Sequence, residues 1–295
     1  MLYPSCVDLE QAVPIEGGKY LFHYTSYSSA LGILLSQQMR LSSLVNMNDP
    51  LEFQDHHNDG VVSNDNPTNE ECAARLFMFL NAVTEKENSV RLACFSMDTP
   101  FPDKSERGQT NYYNNLSKGW ARSRMWAQYA DNHKGVCLIF DKLCLEKEFK
   151  GSFEKSSCET FCDVVNYTNN LNPIRNAFDQ SCESFLTPDR IKFLYQKCED
   201  FRDEQEYRLL LINKALKNTD ELVSFSVANS LCGVITGARF PEENKLSLKK
   251  AMDCCNPKMK RFSIWWDYGE PNLNDPAYWK SLMPEDAADE NNFSR

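Results

Sequence analysis

Lys19-Tyr20-Leu21-Phe22-His23-Tyr24-Thr25-Ser26 is the stretch on which the fold is decided. Lys19 to Tyr24 has the aromatic and branched content of a strand, and Gly17-Gly18 ahead of it marks a break. Thr25 and Ser26 stand where a helix N-cap belongs, before the apolar run Ala30, Leu31, Ile33, Leu34 and Leu35. Strand, cap and helix therefore follow one another within a few residues. His23 falls at the strand's end, where a side chain points toward a cleft or, as is commoner for a lone histidine, serves the structure.

Downstream, Met39 to Ser42 reads as a short strand and Asn46-Met47-Asn48-Asp49-Pro50 as a turn. The polar stretch 54–70 reads as a loop, followed by a helix from about Glu70 to Thr84 and a strand at Arg91 to Phe95. Asp98 to Lys118 is rich in Pro, Asn and charge and is expected as a long inserted loop. A helix is expected over Arg122 to Ala130, a stop at Asp131 to Gly135, and a buried strand at Val136 to Phe140. The pattern weakens from Cys144 to Thr187, with Val164 to Tyr167 a short strand. Pro188 to Cys198 then has helical composition, and Glu206 to Ile212 and Leu231 to Ile235 read as strands. The expected organisation is a leader over 1–18, a single domain over 19–282 with the insertion at 98–118, and an acidic, disordered tail over 283–295.

Composition narrows the class. The chain has 295 residues, 42% hydrophobic and 25% charged, enough for a substantial core. No stretch approaches the roughly 20 apolar residues of a membrane helix, and the start lacks the basic character of a signal peptide, so the expectation is a cytoplasmic protein with no membrane partner. Twelve scattered cysteines without metal-ligand spacing read as reduced thiols, and no metal is expected. A net charge of −10 speaks against an all-over electrostatic grip on nucleic acid but leaves room for a local basic groove. Gly-x-Gly-x-x-Gly, Walker-type and Gly-x-Ser-x-Gly motifs are missing from the sequence, which argues against Rossmann, P-loop and serine-hydrolase chemistry.

In Glu204-Gln205-Glu206-Tyr207-Arg208, alternation puts Glu204, Glu206 and Arg208 on one face of a strand. Such a face is either a site or an exposed strand start with cross-strand charge pairing. Trp126 and Tyr129 share one face of a helix that also carries Arg122 and Arg124.

The ordered set His23-Tyr24-Thr25-Ser26, Asn48-Asp49-Pro50 with Glu52, Cys94-Phe95-Ser96, Met125-Trp126 with Tyr129-Ala130, Lys134-Gly135-Val136-Cys137 with Phe140-Asp141, and Glu206-Tyr207-Arg208 resembles a bacterial domain family of unknown function that looks like a branch of the ADP-ribosyltransferase clan. The resemblance implies an α+β fold, a split β-sheet core with flanking helices, binding NAD in a cleft with His23 and Glu206 on opposite sides. It implies a catalytic set of His23, Tyr129 and Glu206, with Tyr24, Tyr112 and Tyr113 as other tyrosines near cleft segments. In that chemistry a carboxylate stabilises the oxocarbenium-like ribose as nicotinamide leaves. Glu206 takes that role, His23 holds a ribose hydroxyl, and Tyr129 stacks on nicotinamide. Tyr24, Thr25, Asn48, Asp49, Ser96 and Trp126 are the expected NAD contacts beside His23. Glu204, Arg122, Arg124 and Arg208 are the expected contacts to a macromolecular acceptor, with Lys104, Arg107 and Lys118 adding to a phosphate track. Nucleic acid is placed just ahead of protein as the acceptor. Proteins of this sort resemble toxins or anti-phage defence effectors, which implies a neutralising antitoxin or chaperone partner. Protein-directed arginine-type transfer and a non-enzymatic NAD or nucleotide sensor remain the other readings.

Overall fold

The computed structural model describes residues 18–49, 77, 81–99, 117–169, 186 and 191–274. The leader before Gly18, the tail 283–295, most of the 98–118 insertion and the 54–70 stretch lie outside those residues. The fold is mixed α and β, with mostly antiparallel strands and several helices. It divides into two compact units, one built from residues 1–37, 97–143 and 228–295, the other from 38–96 and 144–227.

In the first unit, β1 (Tyr20–Thr25) pairs antiparallel with β4 (Val136–Asp141), which pairs antiparallel with β10 (Leu231–Thr236). β11 (Lys260–Asp267) joins β10 in parallel and turns back as β12 (Glu270–Asn274). The hairpin between them rests on Tyr268 and Gly269, both at positive φ, as a tight two-residue turn demands. β4 lies between two neighbours, and its continuous apolar run is buried on both faces. Phe22 and Tyr24 of β1 pack with Trp120, Met125, Trp126, Cys137, Ile235 and Phe262 in one core cluster.

The expected cap is present: Ser26 accepts from the Ser29 N–H and starts α1 (Tyr27–Ser36). Only Ala30 and Leu34 of the predicted apolar run are fully buried, and Leu35 faces solvent. The parallel β10–β11 step requires a crossover, supplied here by a helix over Lys245–Cys255. That helix packs on α1, where the hydroxyls of Tyr27 and Ser247 lie 2.6 Å apart.

The ends of the 98–118 insertion are pinched together within this unit. Thr99 N–H donates to Ser117 O at 2.8 Å, and Gly119 N–H donates to Asp98 Oδ1 at 2.7 Å. A Cβ at Gly119 would meet Phe22 at 2.5 Å and the Met97 backbone at 2.9 Å, so only glycine closes this neck. Next comes α2 (Ser123–Gln128), without Arg122, Tyr129 and Ala130 of the predicted helix, and the predicted stop follows at Asp131, Asn132 and His133, which all take positive φ.

The second unit is a five-stranded antiparallel sheet in the order β9 (Val223–Ser226), β2 (Gln38–Ser43), β3 (Val90–Met97), β8 (Glu206–Ile212), β5 (Glu159–Val164). β8 is flanked on both edges and buried along its whole length. On one face Leu210 and Ile212 join a cluster with Leu44, Val90, Leu92 and Leu194. On the other, Tyr207 donates to Glu146 Oε1 of α3 (Lys142–Phe153) at 2.7 Å, and Phe149 of α3 meets Phe225 edge-on at 5.1 Å. α3 lies where the sequence pattern is weak, because only Leu145 and Phe149 of its twelve residues are buried.

Two expectations change here. The predicted short strand 164–167 is split by Val165, leaving β5 upstream and a two-residue strand β6 (Asn166–Tyr167). Of the predicted helix 188–198, residues 188–190 lie outside the described residues, Ile191 is helical, and a short 3-10 turn, Lys192–Tyr195, then runs directly into β7 (Gln196–Lys197), which pairs in parallel with β6. The predicted helix 70–84 falls mostly outside the described residues; the described part is helical over 81–89. Among the described residues no helix is long and apolar enough to cross a membrane.

Candidate functional site

The chain enters β8 through a 3-10 turn, Glu199–Glu204, that ends at Gln205 in a left-handed conformation (φ 44°). The alternation expected from Glu204 to Glu206 therefore stops at Gln205, and Glu204 is not part of the strand. The 3-10 turn nonetheless returns its side chain to the same group. Lys197 Nζ lies 2.7 Å from Glu204 Oε2 and 2.8 Å from Glu206 Oε2. Arg208 Nε lies 2.7 Å from the other Glu206 oxygen, Oε1, and Nη1 donates to Leu194 O. Two carboxylates and two cations thus balance one another in the interior, with Glu206 3% and Lys197 4% exposed.

This arrangement replaces one sequence reading. The alternative of an exposed strand start with surface charge pairing does not hold, because β8 is covered on both faces and flanked by β3 and β5. One face of β8 is ionic over Glu206 and Arg208 and apolar over Leu210 and Ile212.

Burial pushes the Glu206 carboxyl upward, and the attraction of Arg208 and Lys197 more than reverses this, bringing it to about 2. The Cys94 thiol also donates to this carboxylate. Glu206 N–H donates to the Tyr167 hydroxyl at 2.8 Å. Burial, followed by the nearby Glu206 and Glu204 charges, pushes the Tyr167 phenol upward and keeps it protonated. β6 and β7 therefore present Tyr167 and Lys197 side by side to the start of β8. Asp49, buried at the end of the predicted turn, accepts from Cys198 N–H at 3.1 Å and pins the backbone beside Lys197, whereas Asn48 is exposed. Ser96 is paired in register with Glu206 on β3, and its buried hydroxyl has no hydrogen-bond partner among the described residues.

Asp49, Ser96, Glu204, Glu206 and Arg208 thus meet in one place, while Lys197, Tyr167 and Cys94 are members that sequence reasoning did not assign. Lys197 escaped notice because it sits in the segment read as a helix and because a fully buried lysine is rare.

The remaining predicted residues belong to the first unit. His23 is half-buried on β1, on the face opposite Phe22 and Tyr24. Thr25, at the end of β1, is buried. The Tyr24 hydroxyl donates to Gly119 O at 2.6 Å and accepts from Arg122 N–H at 3.4 Å. Trp126 is 0% exposed, donates from Nε1 to Trp120 O at 2.8 Å, and meets Tyr24 edge-on at 5.1 Å. Tyr129, half-buried, packs against the same cluster. Arg122 Nη2 donates to Met97 O at 3.3 Å, Arg124 is exposed, and Lys118 stands 3.9 Å from Asp98. Tyr112, Tyr113, Lys104, Arg107 and Glu52 lie outside the described residues. Among the described residues no group of three or more His, Cys, Asp or Glu is placed to hold a metal.

One family model matches, a protein of unknown function (DUF2971), over residues 125–209. That span carries Trp126 and Tyr129 at one end and Lys197, Glu204, Glu206 and Arg208 at the other, and nothing in the match links it to ADP-ribosyltransferases. No curated protein and no solved structure matches the chain.

Proposed function

We propose that the protein transfers ADP-ribose from NAD to a macromolecular acceptor, with Glu206 as the carboxylate beside the reacting ribose. The observation that carries this reading is the Glu206 side chain itself: buried, ionised, and held at both oxygens by separate cations. A carboxylate fixed in advance needs no reorganisation as a cation develops beside it, while Lys197 and Arg208 offset part of its charge. The bond between ribose C1′ and the nicotinamide nitrogen breaks, nicotinamide leaves with the bonding pair, and an acceptor atom bonds to C1′ while losing its proton.

The acceptor in this proposal is nucleic acid, with protein as the other outcome of the test. Glu204 is engaged by Lys197 and is as enclosed as Glu206, so its burial does not choose between the acceptors. A toxin or defence effector with a neutralising partner is the setting that fits such an activity.

A specific observation favours a second reading, an NAD or nucleotide sensor without chemistry. Lys197 and Arg208 offset the charge that an oxocarbenium would need. Incubation of the full chain with labelled NAD and separate RNA, DNA and protein fractions decides between them. Transfer predicts a labelled fraction and free nicotinamide, both lost in Glu206→Gln; NAD binding without nicotinamide release from the wild type would replace transfer with the sensor.

A further inference from the structure

We propose that Lys197 is the positioning residue of Glu206, a single buried ammonium shared with Glu204, and that Glu204 serves this clamp rather than an acceptor. The proposal rests on the reading of Glu206 as the reacting carboxylate.

Three observations converge on Lys197. Its Nζ donates to Glu204 Oε2 at 2.7 Å and forms an ion pair with Glu206 Oε2 at 2.8 Å, while Arg208 takes the second oxygen of Glu206. The carboxylate of Glu206 is thereby fixed at two points, which sets the plane of the group as well as its charge. The Lys197 backbone is itself held: Thr168 N–H donates to its carbonyl at 2.9 Å, and the next residue's N–H donates to Asp49. The Phe201 ring stands 5.3 Å from Nζ, so the ammonium also faces an aromatic wall.

Stability alone does not call for this arrangement. Burying ions costs several kcal/mol apiece, and well-packed apolar residues of similar volume are often as stable or more so. The rest of the same β8 face is apolar, with Leu210 and Ile212 in the core cluster, so the fold already builds that kind of packing one step along the strand. An ionic start to an otherwise apolar face is what orienting a carboxylate requires. Two carboxylates around one ammonium also explain why Glu204 is drawn inward although it lies outside the strand.

The test is a pH titration of the Glu206 carboxyl by carbon NMR of the full-length protein labelled at glutamate side chains, assigned by its loss in Glu206→Gln. In wild type the signal stays ionised throughout the folded range. In Lys197→Met it is expected to titrate upward by at least about one pH unit, because a neighbouring cation is gone. Lys197→Gln, polar but uncharged, gives the same readout should Lys197→Met not fold, and Lys197→Arg is expected to restore the wild-type titration. A Glu206 signal that titrates in the neutral variants as in wild type overturns the proposal whatever the activity. For nicotinamide release, the neutral variants should lose roughly tenfold or more in kcat with little change in KM, and the acid limb of the kcat profile should move up. A loss confined to KM, with the acid limb unmoved, also overturns it. If wild type releases no nicotinamide while the Glu206 titration moves as expected, transfer fails and the clamp on the carboxylate stands.

Discussion

Arg208 and Glu206 sit two residues apart on β8 and face the same way, with Arg208 Nε 2.7 Å from Glu206 Oε1 in an interior that leaves Arg208 0% and Glu206 3% exposed. An i, i+2 pair on a strand is normally a surface feature; here both neighbours of the strand and both of its faces are covered. Removing the guanidinium strands a carboxylate and takes a donor from Leu194 O. Arg208→Met is therefore expected to lower stability by about 3–5 kcal/mol, the range for breaking a buried pair from one side. Arg208→Lys should recover only part of this, since one ammonium does not reproduce the planar fork. Urea unfolding of both variants measures it.

The same pair sets an acid limit. Glu206 has its folded value depressed from 4.5 to about 2, so its ionised form favours the folded state. That contribution is complete above the unfolded value and is lost as pH falls from about 4.5 toward about 2. Wild type should thus lose stability over this interval more steeply than Glu206→Gln. Parallel slopes for the two proteins in chemical denaturation at stepped pH would remove the linkage to Glu206.

The elements readable from sequence are those in which one physical pattern dominates. Val136 to Phe140 is uninterrupted and apolar because β4 is central, and Ser26 caps α1 as its side-chain chemistry prescribes. β8 was legible as a strand, but its burial was not, because charged residues at its start look the same whether solvated or paired. Lys197 was hidden for a different reason. It reaches the site from β7, whose two residues are strand only by pairing with β6, a tertiary fact without a local signature. The helix Lys245–Cys255 and the β11–β12 hairpin were also missed, the latter because Tyr268-Gly269 lacks the usual Asn or Asp of such turns.

Trp126 tests the division between core and ligand wall. Its ring is enclosed, its indole N–H is committed to Trp120 O, and Tyr24 meets it edge-on. Trp126→Phe removes that hydrogen bond and part of the volume, and should cost about 1–3 kcal/mol in stability. If the protein binds NAD as proposed, the affinity should stay near that of wild type. A large loss of NAD binding by calorimetry in a variant that melts like wild type would instead make the indole a ligand contact.

Gly135 is one of the positions where the first unit tolerates no side chain. A Cβ there would stand 2.3 Å from Thr25 O and 2.8 Å from the Ala130 backbone, and these atoms cannot swing aside as a flexible side chain does. Gly135 N–H also donates to Ala130 O at 2.7 Å, and Gly237 N–H donates to Gly135 O at 3.0 Å, so the residue is held from both directions. Relieving the clash means moving the end of β1, which is paired with β4 in register at Thr25 and Val136. Gly135→Ala should therefore destabilise by more than the usual overpacking cost of about 1–3 kcal/mol. Gly32→Ala is the control: nothing lies within 4 Å of a Cβ at this exposed position within α1, and alanine should stabilise the helix by roughly 0.5–1 kcal/mol. Thermal melts of the two variants should move in opposite directions, and a Gly135→Ala protein that melts with wild type would show that the β1 end yields after all.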